Sequence, residues 1–76
     1  MRILIVEDEP TLCAQLATTL QAAGYAVDTA ANGRDGGYMG EVEAYDAVVL
    51  DLGLPLVDGL TVLKRWRALG RTMPVL

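Results

Sequence analysis

The sequence predicts an α/β fold, a doubly wound parallel sheet built from three consecutive strand–helix units. Two largely apolar runs, Arg2–Val6 and Asp46–Leu52, are typical of strands buried on both faces of a parallel sheet. A third run, Tyr25–Ala30, is rich in residues that favour strands. Each run is followed by a segment long enough for a helix, and this alternation gives parallel strands joined by right-handed crossovers. The 76 residues allow one domain.

The first unit continues from its strand into a well-marked helix. Pro10 suits the first helical turn, and Gly24 is a natural end. The apolar stripe of this helix consists of Leu12, Leu16 and Leu20. Cys13, the only cysteine, is expected to be a small buried hydrophobic residue rather than a reactive thiol. A lone cysteine forms no intrachain disulfide, which fits a reducing, cytoplasmic setting.

The second unit turns at Asn32-Gly33 and leads into a helix predicted over Arg34–Tyr45. Three glycines lie inside this segment, at positions 36, 37 and 40. Each glycine costs about 1 kcal/mol relative to alanine in a helix interior. We therefore expect this helix to be short, frayed or irregular.

The third unit leads through a loop into a helix that ends at Gly70. Its spacing predicts a core-facing stripe of Leu60, Leu63 and Trp66, with Val62 and Leu69 on the flanks. Trp66 is expected to be a packing residue rather than a ligand platform. The last residues, Met73–Leu76, resemble the start of a fourth strand. Such an ending predicts that the sequence is a fragment of a longer protein.

Charge and hydropathy exclude several function classes. The formal net charge is −4, and the one basic segment, Lys64–Arg71, is predicted to be a solvated helix face rather than a nucleic-acid surface. No signal peptide is visible, and no apolar run approaches the roughly 18 residues that span a membrane.

Three carboxylates follow two of the predicted strands. Glu7 and Asp8 come directly after the first strand, and Asp51 lies at the end of the third. The carboxyl ends of parallel strands share one sheet edge, so these groups converge if the two strands are neighbours. Their mutual repulsion raises a pKa or is offset by a cation, and Mg²⁺ prefers such oxygen ligands. The alternative is that Glu7 and Asp8 only cap the following helix.

Other catalytic motifs are absent. The chain has no histidine, no glycine-rich dinucleotide or nucleotide-phosphate motif and no serine nucleophile elbow. Carboxylate chemistry remains, in the form of a metal site and an aspartate that can attack phosphorus to give an acyl phosphate.

Two stretches, "ILIVEDEP" and "DAVVLDLGLPLVDG", together resemble the receiver domain of bacterial two-component response regulators, in the subfamily with a winged-helix DNA-binding domain. The resemblance implies a flavodoxin-like receiver fold that is truncated after the start of the fourth strand. Residues 1–76 would be the N-terminal part of that domain, with three strand–helix units and no DNA-binding domain.

The same resemblance implies roles for individual residues. Asp51 would be the phosphoacceptor, and Asp8 and Asp51 would bind Mg²⁺ directly. The main-chain carbonyl of Gly53 would be the third protein ligand, and Glu7 would act through a metal-bound water. Further along, Pro55 and Gly59 would shape the loop, and Asp58 would cap the third helix.

Partners also follow from the resemblance. The phosphoryl donor would be a sensor histidine kinase in the cytoplasm, and DNA would be bound only through a missing C-terminal domain. The family's hydroxyl and lysine residues on strands four and five fall beyond Leu76, so we expect the fragment to be impaired as a phosphoacceptor. We also expect a homodimer or oligomer through Thr72–Leu76, since exposed strand edges invite pairing.

Two alternatives remain from the residues themselves. The first is a phosphatase-type enzyme with Asp51 as a turnover nucleophile, although the general acid such enzymes need two residues later is here Gly53. The second is an interaction module that is not phosphorylated, against which the intact Glu7, Asp8 and Asp51 argue.

Overall fold

The predicted fold class is confirmed by a computed structural model that describes residues 1–76. The strands are β1 (Arg2–Val6), β2 (Ala26–Ala30) and β3 (Ala47–Leu50), and the helices are α1 (Pro10–Ala22), α2 (Gly33–Val42) and α3 (Gly59–Ala68). All strand pairs are parallel, and the sheet order is β2-β1-β3. The first and third strands are therefore neighbours, as convergence of the acids requires.

The chain end continues the sheet on the outer side of β3. The Val48 N–H donates to Pro74 O at 2.9 Å, and the Leu76 N–H donates to Val48 O at 2.8 Å. A parallel bridge joins Val48 to Val75. These contacts confirm the predicted start of a fourth strand.

The main core lies on one face of the sheet, beneath α2 and α3. Its largest members are Leu4, Val6, Val48 and Trp66, all with no exposed surface. Side chains alternate between the two faces of a strand, so Ile3 and Ile5 point to the opposite face, where α1 packs.

Helix α1 is less buried than its apolar stripe predicts. None of its residues is fully buried, Leu12 is 43% exposed, and Cys13 is only half-buried. The expectation of a buried cysteine was therefore wrong. The reason is that α1 is the only helix on its side of the sheet and is covered only where it contacts β1 and β2.

Helix α2 has ten residues and is shorter than the predicted segment Arg34–Tyr45, as expected, but it is not irregular. Three of its four buried glycines, all but Gly37, face neighbours that are too close for a side chain. A Cβ on Gly36 would lie 2.5 Å from Cγ1 of Val6, and a Cβ on Gly40 would overlap the Trp66 indole. Packing thus compensates for low helix propensity. The helix ends at Val42, before the predicted end at Tyr45, which lies outside the helix and is buried in the main core.

Helix α3 faces the core with two of the three predicted residues, Leu63 and Trp66, but not with Leu60. Gly59, Val62 and Trp66 are buried, whereas Leu60 and Leu69 are half or more exposed. A Cβ on Gly59 would overlap the carbonyl oxygen of Asp51, so this residue has to face the sheet and sets the phase of the helix. The prediction for Trp66 is confirmed, and its indole N–H donates to Gly37 O at 3.0 Å.

The basic segment is exposed along α3, as predicted. Lys64, Arg65 and Arg67 all face solvent, and the Arg67 guanidinium donates to Arg71 O and Met73 O at 2.8 and 3.0 Å. None of the helices combines the length and apolar character needed to cross a membrane.

A polar network closes the opposite end of the sheet from the acids. The Arg2 guanidinium donates to Asp28 at 2.7 Å and lies 5.2 Å from the centroid of the Tyr45 ring. The Tyr45 hydroxyl also donates to Asp28, at 2.7 Å. Burial, and then this bond to Asp28, raise the pKa of Tyr45 from 10.0 to about 12.

Candidate functional site

The carboxyl ends of β1 and β3 bring the three predicted acids together. Val6 pairs with Leu50, and the Asp51 N–H donates to Val6 O at 3.0 Å. Glu7, Asp8 and Asp51 each offer a carboxylate oxygen, and these oxygens lie within 4.8 Å of one another. The convergence expected from strand order is therefore present, and three acids at this range repel one another unless a cation or a proton intervenes.

The capping residue of α1 is Glu9, one position later than the alternative interpretation required. Its carboxylate accepts hydrogen bonds from the backbone N–H groups of Thr11 and Leu12, at 3.1 and 2.7 Å. Glu7 accepts from the Glu9 N–H at 3.2 Å, and the Asp8 carboxylate makes no hydrogen bond within the chain. Glu7 and Asp8 are thus not the helix cap, and their oxygens face the cluster. Glutamate is a rare cap residue, so the sequence carried little signal for this role.

Asp51 is half-buried and is oriented by its own loop. Its Oδ1 accepts from the Gly53 N–H at 3.1 Å, which leaves Oδ2 without a partner in the chain. Gly53 is exposed, and a Cβ there would meet only Asp51 Oδ1, at 3.8 Å. A larger side chain would fit at this position, so any role of Gly53 belongs to its backbone.

Asp58, the other aspartate of this loop, is occupied elsewhere. It caps α3, accepting from the Thr61 N–H at 2.9 Å and the Thr61 hydroxyl at 2.8 Å, as predicted. The bonds from Thr61 hold the pKa of Asp58 below its usual value. The two aspartates of the motif therefore have different environments, one in the acidic cluster and one in a helix cap.

The loop from Leu52 to Asp58 is tied down at several points. The Gly59 N–H donates to Leu52 O at 3.1 Å and closes the loop. Pro55 O accepts from the Val57 N–H at 2.9 Å, around Leu56, which has a positive φ of 70°. Pro55 O also accepts from the Gly33 N–H at 3.2 Å. The sequence indicated Pro55 and Gly59 but did not reveal that Gly33, the first residue of α2, touches this loop.

The donor set fits a hard divalent cation. The three carboxylates and the exposed backbone beside them supply oxygen ligands. Softer ligands are scarce, because the chain has no histidine and only one cysteine. Mg²⁺ takes one or two carboxylates and keeps several waters, which suits an open cluster of this kind.

Curated relatives match the whole chain. It is 41% identical over 76 residues to the virulence transcriptional regulatory protein PhoP of Salmonella typhimurium. It is 45% identical over the same length to the transcriptional regulatory protein QseB of Haemophilus influenzae. All of this chain is covered in both comparisons, but it spans only 34% of either relative.

Solved structures share the fold. The response regulator TrrA of Thermotoga maritima, in complex with Mg²⁺ and BeF, has a TM-score of 0.90 and 36% identity, covering 97% of this chain and 64% of TrrA. TrrA has also been solved with the histidine kinase ThkA. The receiver domain of the sensor histidine kinase PA1611 of Pseudomonas aeruginosa, with magnesium in its active-site cleft, has a TM-score of 0.92 and 34% identity, covering 97% and 62%.

The family follows from these likenesses and from the match of a family model. The model for the response regulator receiver domain matches residues 3–76, nearly the entire chain. The matched range includes the two acids after β1, the aspartate after β3 and nearly all of the three-stranded sheet. The chain belongs to the receiver domain family of two-component response regulators.

Proposed function

We propose that Asp51 accepts a phosphoryl group in a Mg²⁺-dependent reaction. The observation that carries this proposal is the cluster of Glu7, Asp8 and Asp51 at the joined ends of β1 and β3, with carboxylate oxygens within 4.8 Å of one another. An in-line phosphoryl transfer needs positioning and charge neutralisation rather than a large catalytic apparatus.

The acceptor step follows from the environment of Asp51. Because Oδ1 is held by the Gly53 N–H, we assign Oδ2 as the nucleophile. Oδ2 attacks the phosphorus of a phosphohistidine, a P–O bond forms, and the P–N bond breaks with its electron pair going to the imidazole nitrogen. The product is an acyl phosphate on Asp51 and a free histidine on the donor.

The metal ligands of this proposal are carried by the chain itself. Asp8, Asp51 and the backbone carbonyl of Gly53 would hold Mg²⁺ directly, and Glu7 would hold it through a water. The chemistry that Mg²⁺ would supply there is positive charge to offset the acids and the incoming phosphoryl oxygens. The free carboxylate of Asp8 supports this assignment, since its neighbour Glu9 supplies the helix cap in its place.

The donor in this proposal is a sensor histidine kinase in the cytoplasm. The complex of TrrA with the kinase ThkA and the names of PhoP and QseB support a signalling role that ends in transcription control. In this proposal, any DNA binding belongs to the part of PhoP and QseB that these 76 residues do not cover. The chain acts as an acceptor rather than as a turnover enzyme, because Gly53 stands where a phosphatase-type enzyme needs an acid.

The outer edge of the sheet is the proposed contact between copies. Residues 72–76 extend the sheet beside β3, and Leu76 is 82% exposed. Backbone groups along such an edge can pair with the same edge of a second chain. Sedimentation velocity over a concentration series tests this, and a monomer at every concentration would contradict it.

The acceptor assignment is tested with a small phosphodonor such as phosphoramidate. We expect the intact mass to rise by one phosphoryl group in the presence of Mg²⁺ and not in the presence of a chelator. Asp51→Asn abolishes the modification, whereas Asp58→Asn, a matched change in the same loop, retains it because asparagine also caps helices well. Equal modification of the Asp51→Asn variant would overturn the proposal.

A further inference from the structure

We propose that Gly33, on helix α2, is a positioning residue for the phosphorylation site. Its contact with the loop after β3 holds the backbone of Gly53 and Asp51 in the arrangement that binds Mg²⁺. This inference rests on the proposed function and adds a residue from an element that carries none of the proposed metal ligands.

The contact between Gly33 and the loop is a backbone-to-backbone contact. The Gly33 N–H donates to Pro55 O at 3.2 Å, and a Cβ added to Gly33 would overlap the carbonyl oxygen of Val57. The φ of Gly33 is not positive, so alanine is conformationally allowed there. Any side chain at this position would therefore act only by pushing the loop away.

The loop has little freedom to absorb such a push. The Gly59 N–H closes it onto Leu52 O at 3.1 Å, and the turn at Leu56 is fixed by the bond between Val57 and Pro55. Gly53 lies two residues before Pro55, inside the closed loop. A displacement at Pro55 and Val57 is thus transmitted toward Gly53 and the Asp51 carboxylate that its N–H orients.

Gly40, two turns further along the same helix, provides a matched control. A Cβ there would overlap the indole of Trp66, so Gly40→Ala also introduces a clash on a buried face. That clash lies in the core between α2 and α3 and not at the loop. The two variants add the same methyl group to the same helix but push against different neighbours.

Mg²⁺ binding, followed by amide NMR shifts during titration with the metal alone, separates the two effects. We expect Gly33→Ala to weaken Mg²⁺ affinity by about 10- to 100-fold, the range for groups that orient metal ligands. We expect Gly40→Ala to lower the melting temperature while its Mg²⁺ affinity stays within about twofold of wild type, because its clash is remote from the ligands.

Three results would overturn the inference. The first is a Gly33→Ala variant that binds Mg²⁺ as tightly as wild type. The second is a folded Gly40→Ala variant that loses as much Mg²⁺ affinity as Gly33→Ala. If Gly33→Ala does not fold, Asn32→Ala replaces it. This change removes the helix cap, whose side chain accepts from the Asp35 N–H at 2.8 Å, and so loosens the turn that carries Gly33. Unchanged Mg²⁺ affinity in Asn32→Ala is the third result that would overturn the inference. A wild-type chain that binds no Mg²⁺ would instead overturn the proposed function, and with it this role for Gly33.

Discussion

Replacing single glycines of α2 with alanine should have opposite effects on stability, depending on what each glycine faces. Gly37 and Gly40 are both buried in the same regular helix. A Cβ on Gly37 would lie 3.7 Å from Cγ2 of Val62, an ordinary van der Waals contact. Alanine gains about 1 kcal/mol over glycine in a helix interior, so Gly37→Ala should raise the free energy of unfolding by about 1 kcal/mol.

Gly40→Ala gains the same propensity but meets the Trp66 indole, which has no exposed surface and cannot move outward freely. Overpacking of a core costs about 1–3 kcal/mol. In the variant, displacement of the Trp66 indole would also strain its hydrogen bond to Gly37 O. The net effect should be destabilisation by about 1 kcal/mol.

Urea denaturation and thermal melts followed by circular dichroism measure both changes. For a domain of this size, 1 kcal/mol corresponds to about 4–8 °C in melting temperature. We therefore expect the two variants to shift the midpoint in opposite directions. Destabilisation by Gly37→Ala, or stabilisation by Gly40→Ala, would refute the explanation that the nearest neighbour of each glycine in α2 decides whether alanine is tolerated there.

Three further predictions concern other parts of the chain. Asp8→Asn should weaken Mg²⁺ binding in calorimetric titrations by at least about tenfold, because it removes a proposed ligand, and an unchanged affinity would exclude Asp8 from the site. Leu56→Gly should raise the free energy of unfolding by about 0.5–1 kcal/mol in urea titrations, since it relieves a positive φ of 70° at an exposed position, whereas Leu60→Gly on exposed α3 should lower it. The raised pKa of Tyr45 contributes stability that is present below pH 10.0 and is lost as pH rises toward about 12, so urea midpoints should fall over that range and Tyr45→Phe should flatten this dependence.

The strands could be predicted from the sequence because they depend on local patterns, and the acidic cluster then required only that β1 and β3 be neighbours. Continuous apolar runs marked β1 and β3, and the shared edge of parallel strands then brought Glu7, Asp8 and Asp51 together. The capping role of Asp58 was also readable, because aspartate before a helix is a strong local signal.

The helices were harder to predict because tertiary contacts decide their details. Nothing in the local sequence reveals that Val6 and Trp66 fill the space beside the glycines of α2. The phase of α3 is set by the close approach of Gly59 to Asp51 across the loop, which exposes Leu60 despite its helical spacing. The contact of Gly33 with the loop depends on the same kind of long-range geometry, whereas the cap by Glu9 is local and was missed because glutamate is a rare cap residue.

The most direct test of the central claim identifies the residue that carries the phosphoryl group. The chain is incubated with Mg²⁺ and phosphoramidate, reduced with borohydride, which converts an aspartyl phosphate to homoserine, and mapped by peptide mass spectrometry. A phosphoacceptor at the joined ends of β1 and β3 predicts homoserine at position 51 alone, and only when Mg²⁺ is present. Homoserine at position 8 or 58, or at position 51 without dependence on Mg²⁺, would contradict it.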